Sequence, residues 1–495
     1  MDRKTVLGPY SILIMVIFAL AVLVEAGFPA ADVGHLTWPL AVLNALFMIL
    51  ALLPVRGYVL KVSIVCLAVA AGIALFWKVP ALALAEAFNK SSGIIAFIAV
   101  VPAVAIPIRL GGYMEAMEAF LSADPSSRQV RSADKTSWPE LLHQALEPFV
   151  SFLVLAGLNL LMSFVLNIGS IPIMQRLLEK ARLPKPYLSL LYSTAYSSYM
   201  VVSPFDGLIQ ALILATGASY ATYVSHGLAM TGAIMATGLL ILALSPRSIR
   251  PGKTNHDQPS DHQNHQQPRL ADQAHSPAAE GSLQPGRRIL ELAAHIIAMI
   301  VLAVVLGRLI KLGNPALGTA FVIVVYTLFW LRLLDVGRKE LKGSVREYAL
   351  ALAGFRAFLP FLVSASLLGA MTAYTPLNGA IASALLQLGN LSRYFSIQAI
   401  MAVTALLSMV GIHMMITVAA VASAVDPVVL GLDPPAFALF LLSCWFVAMN
   451  VSPFVPFSTV VGEAIRESPA TVALRYNSKM AVLMLFIAPL VIILA

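Results

Sequence analysis

Two short stretches, Ser203-Pro204-Phe205-Asp206-Gly207 and Ser452-Pro453-Phe454-Val455-Pro456-Phe457-Ser458-Thr459, each place proline inside an apolar run long enough to cross a bilayer. Proline has no backbone donor and its ring clashes with the preceding turn, so a helix does not pass through it unbroken. The residue before it is pushed out of the helical region as well. Within a bilayer, broken backbone is tolerated only where protein or a water-filled cavity surrounds it. Whatever this chain folds into must therefore enclose two interrupted helices.

The surroundings of the two breaks settle the class. Of 495 residues, 59% are hydrophobic and only 11% are charged. Apolar runs of about 20 residues recur along the whole length, each matching the hydrocarbon thickness. The reading is an all-α polytopic membrane protein with about eleven transmembrane helices. The net charge of +8 lies between apolar runs and not on one basic face, so it reads as cytoplasmic loop charge rather than as a nucleic-acid footprint. Cys66 and Cys444 both fall in apolar segments and offer neither a metal site nor a disulfide framework.

Taken in order, residues 1–36 form an extra N-terminal helix (Leu7 to Ala26) with a cytoplasmic N-terminus. Residues 37–245 form a first repeat. Its spans run from Trp38 to Leu53, Val62 to Trp77 and Gly93 to Ile108, followed by a short helix from Gly112 to Leu121. An apolar run from Phe149 to Leu166 then meets Asn167-Ile168-Gly169-Ser170-Ile171-Pro172, and basic residues return soon after at Lys180, Arg182 and Lys185. If those are cytoplasmic, the chain has gone in and come back, which makes a re-entrant hairpin with its tip at Asn167 to Pro172. The fifth span starts at Pro186 and breaks at Ser203-Pro204; the sixth runs from Ala221 to Leu244.

Residues 246–288 are rich in Pro, Gln, His, Asn and Ser and read as a solvated cytoplasmic linker; His256, His262, His265 and His275 show no regular ligand spacing. Residues 289–495 repeat the first half. Spans run from Ile289 to Ile310, Leu317 to Leu334 and Tyr348 to Thr372, with a short helix from Leu377 to Leu388. A second hairpin has its tip at Gly411-Ile412-His413-Met414; a span from Pro435 breaks at Ser452-Pro453, and the last runs from Ala470 to Leu494. Each repeat holds an odd number of crossings, so the second copy is inverted and the C-terminus lies outside.

At hairpin tips and helix breaks, freed backbone N–H groups favour anions and freed carbonyls favour cations. Such paired breaks point to the binding site of a secondary transporter. The candidate substrate-binding residues are Asn167, Ser170, Ser203, His413, Asn450, Ser452, Ser458 and Thr459. The candidate cation-coupling positions are Asp206, Gly169 and Gly411. Asp206 reads as a proton or sodium ligand, or as the N-cap of the following half-helix. The serines and threonines read equally as back-bonded packing groups. Arg356 reads as an anion partner or a snorkelling side chain, and Glu463 and Arg466 as interfacial groups. No G-x-x-x-x-G-K-[ST], H-E-x-x-H or G-x-S-x-G sequence occurs, so ATP-driven transport and the common hydrolase sites have no support and no enzyme is expected.

The order of helix, hairpin tip, broken helix and closing helix, twice over and inverted, resembles the ion transporter superfamily. That group holds divalent-anion symporters, gluconate and citrate permeases, sodium/proton antiporters and the large membrane subunits of TRAP transporters. The tips depart from the Ser-Asn-Thr motif of the divalent-anion symporters, reading Asn167-Ile168-Gly169-Ser170 and Gly411-Ile412-His413-Met414. The resemblance implies a homodimer in the inner or plasma membrane and a mobile transport subdomain. It also implies a small, carboxylate-like solute as partner besides the lipid bilayer, with sodium ions or protons coupled and no other cofactor. A sodium/proton antiporter of the same fold is the alternative, and a polytopic intramembrane enzyme or receptor-like module a weaker one.

Overall fold

The computed structural model describes residues 34–52, 58–122, 138–181, 183–246, 285–309, 315–334, 337, 340–341, 343–344, 348, 358–372, 374–376, 383, 392–412 and 414–494. Most of these residues are helical, with no strand among them. The extra N-terminal helix, most of the linker, Arg356, His413 and nearly all of the short helix from Leu377 to Leu388 lie outside the described residues.

The first half contains α1 (Gly34–Leu52), α2 (Tyr58–Phe76), α3 (Ala81–Val100), α4 (Ala105–Leu110) and α5 (Tyr113–Ser122). It continues with α6 (Trp138–Leu166), α7 (Ser170–Leu178), α8 (Lys185–Val202), α9 (Gly207–Thr216) and α10 (Tyr220–Leu244). The second half contains α11 (Pro285–Leu309), α12 (Pro315–Leu333), α13 (Phe358–Thr372), α14 (Arg393–Met409) and α15 (Met414–Ala424). It closes with α16 (Pro434–Val451), α17 (Pro456–Ile465) and α18 (Ser478–Leu494). Four of these helices, α6, α10, α11 and α16, are long and apolar enough to cross a bilayer, which makes this a multi-pass membrane protein.

Most spans lie where the apolar runs put them, and two differ for physical reasons. The helix expected from Gly93 begins at Ala81, because the polar stretch before Gly93 is helical too. Asn44 of α1 donates there to the Phe88 carbonyl at 3.3 Å and to Asn89 Oδ1 at 3.4 Å. The last span is not one helix. A π-turn, Thr471–Tyr476, precedes α18, and the buried Asn477 stands at the junction.

Direction follows from side-chain pairs. Phe152 meets Tyr187 and Phe164 meets Tyr199, both at 5.7 Å, so α6 and α8 run parallel and α7 returns between them. A chain that leaves along α6 and sets out again along α8 in the same direction is a helical hairpin. In the second half, Thr404 of α14 lies beside Cys444, and Ser408, one turn on, accepts from Ser452. Thus α14 and α16 are parallel as well, with α15 returning. The two halves oppose each other. Lys185 at the start of α8 pairs with Glu467 just past α17 at 2.9 Å, while Tyr196 further along α8 stacks on Phe457 near the start of α17. The α8 and α16–α17 elements therefore run antiparallel, as two inverted copies require.

The core sits around α8 and α16, and their compositions differ. In α16 every residue from Pro435 to Val451 is buried, and most are apolar. A helix apolar all round is one with protein on every side. In α8 every residue from Tyr187 to Val202 is buried too, yet Ser189, Ser193, Thr194, Ser197 and Ser198 are among them. Hydroxyls there must find partners in the interior, because they face neither lipid nor bulk water.

Candidate functional site

Each copy brings its hairpin tip onto its own break. At the first tip, Asn167 has φ +53°. Asparagine tolerates this left-handed conformation better than most residues, because its short side chain bonds locally. Here the Ile168 N–H donates to Asn167 Oδ1 at 2.6 Å. The same oxygen accepts from Tyr196 OH at 2.6 Å, and Asn167 Nδ2 donates to Tyr199 OH and to Asp206 Oδ2, both at 3.3 Å. Asp206 is buried. One amide thus ties the tip to two α8 tyrosines and to the carboxylate in the break. The left-handed residue is Asn167, not Gly169, whose φ is −64°. Ser170 is buried and shares a hydrogen bond with Ser163 at 2.9 Å, below the tip.

The two breaks are built alike. Ser203 N–H donates to the Tyr199 carbonyl at 3.0 Å and closes α8, and Ser203 Oγ accepts from Phe205 N–H at 3.1 Å. Ser452 N–H donates to the Ala448 carbonyl at 3.1 Å, and Ser452 Oγ accepts from Phe454 N–H at 3.4 Å. Each serine therefore caps the turn over its own proline. Carbonyls released by the break are taken up by side chains farther on. Gln210 Nε2 donates to the Pro204 carbonyl at 3.3 Å, and Ser458 Oγ donates to the Ser452 carbonyl at 2.7 Å. Thr459 is exposed and leans on the Val455 carbonyl at 3.4 Å.

At the second tip, Gly411 takes φ +95°, where a side chain would be strained, and its Cα faces the Phe454 ring 3.7 Å from where a Cβ would stand. Ser452 Oγ also donates to the Ser408 carbonyl at 2.7 Å, fixing the break to the end of α14. The copies differ in chemistry. The first joins tip to break through an amide and a carboxylate, the second through a glycine and an exposed phenylalanine.

Asn450 connects the copies. It is buried one turn from the second break, accepts from Ser193 Oγ at 2.5 Å, and donates to Ser197 Oγ at 3.0 Å and to the Phe446 carbonyl at 2.8 Å. Tyr196 lies against Phe457 at 5.4 Å with the ring planes 11° apart. The structure thus unites Asn167, Asp206, Ser203, Asn450, Ser452 and Ser458 around α8 and α16–α17. It leaves Ser170 facing Ser163 and Thr459 at the edge. The residues that complete the arrangement, Ser193, Tyr196, Ser197, Tyr199 and Gln210, are not among the sequence candidates. Their signal is the run Tyr192-Ser193-Thr194-Ala195-Tyr196-Ser197-Ser198-Tyr199, dense in hydroxyls for an apolar span. Among the described residues no group of three or more His, Cys, Asp or Glu side chains is placed to hold a metal ion.

No protein-family model matches this sequence, and no curated protein matches it. Among solved structures, the chain is similar to the crystal structure of the Alcanivorax borkumensis YdaH transporter, whose topology is described as unusual. The TM-score is 0.50 at 13% identity, covering 98% of this chain and 98% of that one. At that identity the likeness is one of fold.

Proposed function

We infer that this protein is a secondary active transporter of a small organic solute, not an enzyme, with Asp206 as the coupling group. The observation that carries the reading is the Asn167–Asp206 contact, which places a buried carboxylate where a hairpin tip meets a broken helix. Ionisable groups inside membrane spans are retained at a cost and mark ion or substrate paths. The duplicated hairpins, the antiparallel broken helices and the fold shared with a transporter support it. Membership of the ion transporter superfamily and movement of the hairpins and broken helices as one elevator-like body belong to this reading. So do the division into repeats at residues 37–245 and 289–495, a cytoplasmic N-terminus with an outer C-terminus, and a homodimer in the inner or plasma membrane. The solute, carboxylate-like in this reading, would lie between the two breaks near Asn450 and Ser452, and the cation near Asp206 and Asn167.

The test is uptake into proteoliposomes of a carboxylate panel under imposed sodium or proton gradients. Gradient-driven flux that Asp206→Asn abolishes is the expected result. Flux of no solute under either gradient overturns it. Sodium/proton exchange without any organic substrate would instead favour an antiporter, a reading that the buried Asp206 also suits.

A further inference from the structure

Below the first hairpin tip, three buried polar atoms have no partner. They are Asn159 Nδ2 and Oδ1 on α6 and Thr194 Oγ1 on α8, and both residues are fully buried. The two ring pairs between these parallel helices, Phe152–Tyr187 and Phe164–Tyr199, each join residues 35 positions apart, and Asn159 and Thr194 are separated by the same interval. They therefore stand at one level across the α6–α8 seam. The third wall is Gly238 of α10. A Cβ there would come within 2.6 Å of Thr194 Oγ1 and 3.3 Å of the Phe152 ring, so only glycine lets the hydroxyl keep its place.

We propose that Asn159 and Thr194 hold a water molecule between α6 and α8, and that this water keeps the hairpin in register with the broken helix. The donor set selects the occupant. The amide N–H donates, the amide oxygen accepts and the hydroxyl does either, and a water with two donors and two acceptors meets all three. A monovalent cation would satisfy the oxygens and be repelled by the amide N–H. The Phe152 ring and Gly238, which close the space beside the Thr194 hydroxyl, bring no polar side chain to it. Asn159 lies on the same helix as the tip, two turns below Asn167, so the water pins the hairpin arm on which the Asn167–Asp206 contact depends.

The test uses the purified full-length protein and does not require its substrate. A high-resolution cryo-EM map of the wild type in nanodiscs should show an isolated density within hydrogen-bonding distance of Asn159 and Thr194; a dry gap overturns the proposal. The near-isosteric variants Asn159→Leu and Thr194→Val should each lower the melting temperature by a few degrees. The double variant should fall no further than the worse single one, because both lose the same water. Removing an unpaired buried polar group instead stabilises a protein, so a rise in melting temperature in either variant overturns the proposal. Melting should be the same in sodium, potassium and choline chloride, and a dependence on the cation would replace the water by an ion and overturn it too. None of these readouts depends on transport, so the water stands or falls apart from the coupling role of Asp206.

Discussion

Tyr196 of the first half stacks in an offset, near-parallel arrangement on Phe457 of the second, with ring centroids 5.4 Å apart. The same tyrosine donates its hydroxyl to Asn167 at the first hairpin tip. One side chain thus touches the first tip through oxygen and the second break through its ring, and the two contacts can be removed separately. Tyr196→Phe keeps the stack and loses the hydrogen bond, which costs about 1 kcal/mol and leaves the protein folded. Tyr196→Ala loses both and should cost about 3–5 kcal/mol, as expected for a large buried aromatic. Thermal unfolding in detergent measures both. If transport depends on the tip, Tyr196→Phe will slow uptake more than its small stability loss explains.

Asn167 offers a second separation. Its φ of +53° is a conformation that alanine adopts only at a cost of about 1–2 kcal/mol, while glycine adopts it freely. Asn167→Gly should retain the turn and lose the bonds to Asp206, Tyr196 and Tyr199; Asn167→Ala should lose both. Gradient-driven uptake impaired equally in both variants, with alanine clearly the less stable, assigns the function to the amide. Uptake retained in Asn167→Gly would assign it to the backbone.

The architecture was legible in the sequence where a residue type and its setting narrow the chain's options. Pro204 and Pro453, each following a serine in an apolar run, mark the ends of α8 and α16, whereas Pro148 and Pro489 stay inside α6 and α18. The partners were not legible. Asn167 and Asp206 stand out singly, but the 39 positions that separate them conceal that the hairpin folds one onto the other. Ser193 and Ser197 each look like serines that bond back to the preceding turn, as Ser198 does to Thr194 and Ser443 does to Leu439. Their pairing with Asn450 depends on an antiparallel helix more than 250 positions away. Charge and hydropathy place helices in a bilayer but do not rotate them about their axes, so facing residues stay hidden. Likewise the polar stretch before Gly93 hides that its helix starts at Ala81, where Asn89 meets Asn44 of α1.

Gly411 should be the least replaceable residue of the second tip. Gly411→Ala meets unfavourable backbone at φ +95° while its methyl would only touch the Phe454 ring at ordinary distance, so the penalty is one of conformation, about 1–2 kcal/mol. Phe454→Ala at the same site removes a ring that is 66% exposed and should change stability little. Melting curves of the two variants should differ in that order. Equal losses would mean that the ring, and not the backbone, fixes the tip.

Asn450 carries the heaviest polar demand in the core, and its replacement should be the most damaging of the single polar changes. Asn450→Leu keeps the volume but strips partners from Ser193, Ser197 and the Phe446 carbonyl, all in a region closed to water. Leaving buried groups unsatisfied costs about 1–3 kcal/mol for each that finds no substitute. Phe446 O lies within an intact helix and keeps its ladder bond, so the loss falls on the two serines, and about 2–4 kcal/mol is expected. Adding Ser193→Ala and Ser197→Ala to Asn450→Leu should recover much of it, because the orphaned hydroxyls go with their partner. Unfolding midpoints of the single and triple variants in the same detergent test this. A triple variant no more stable than Asn450→Leu alone would show that Asn450 acts through packing against α8 and not through its hydrogen bonds.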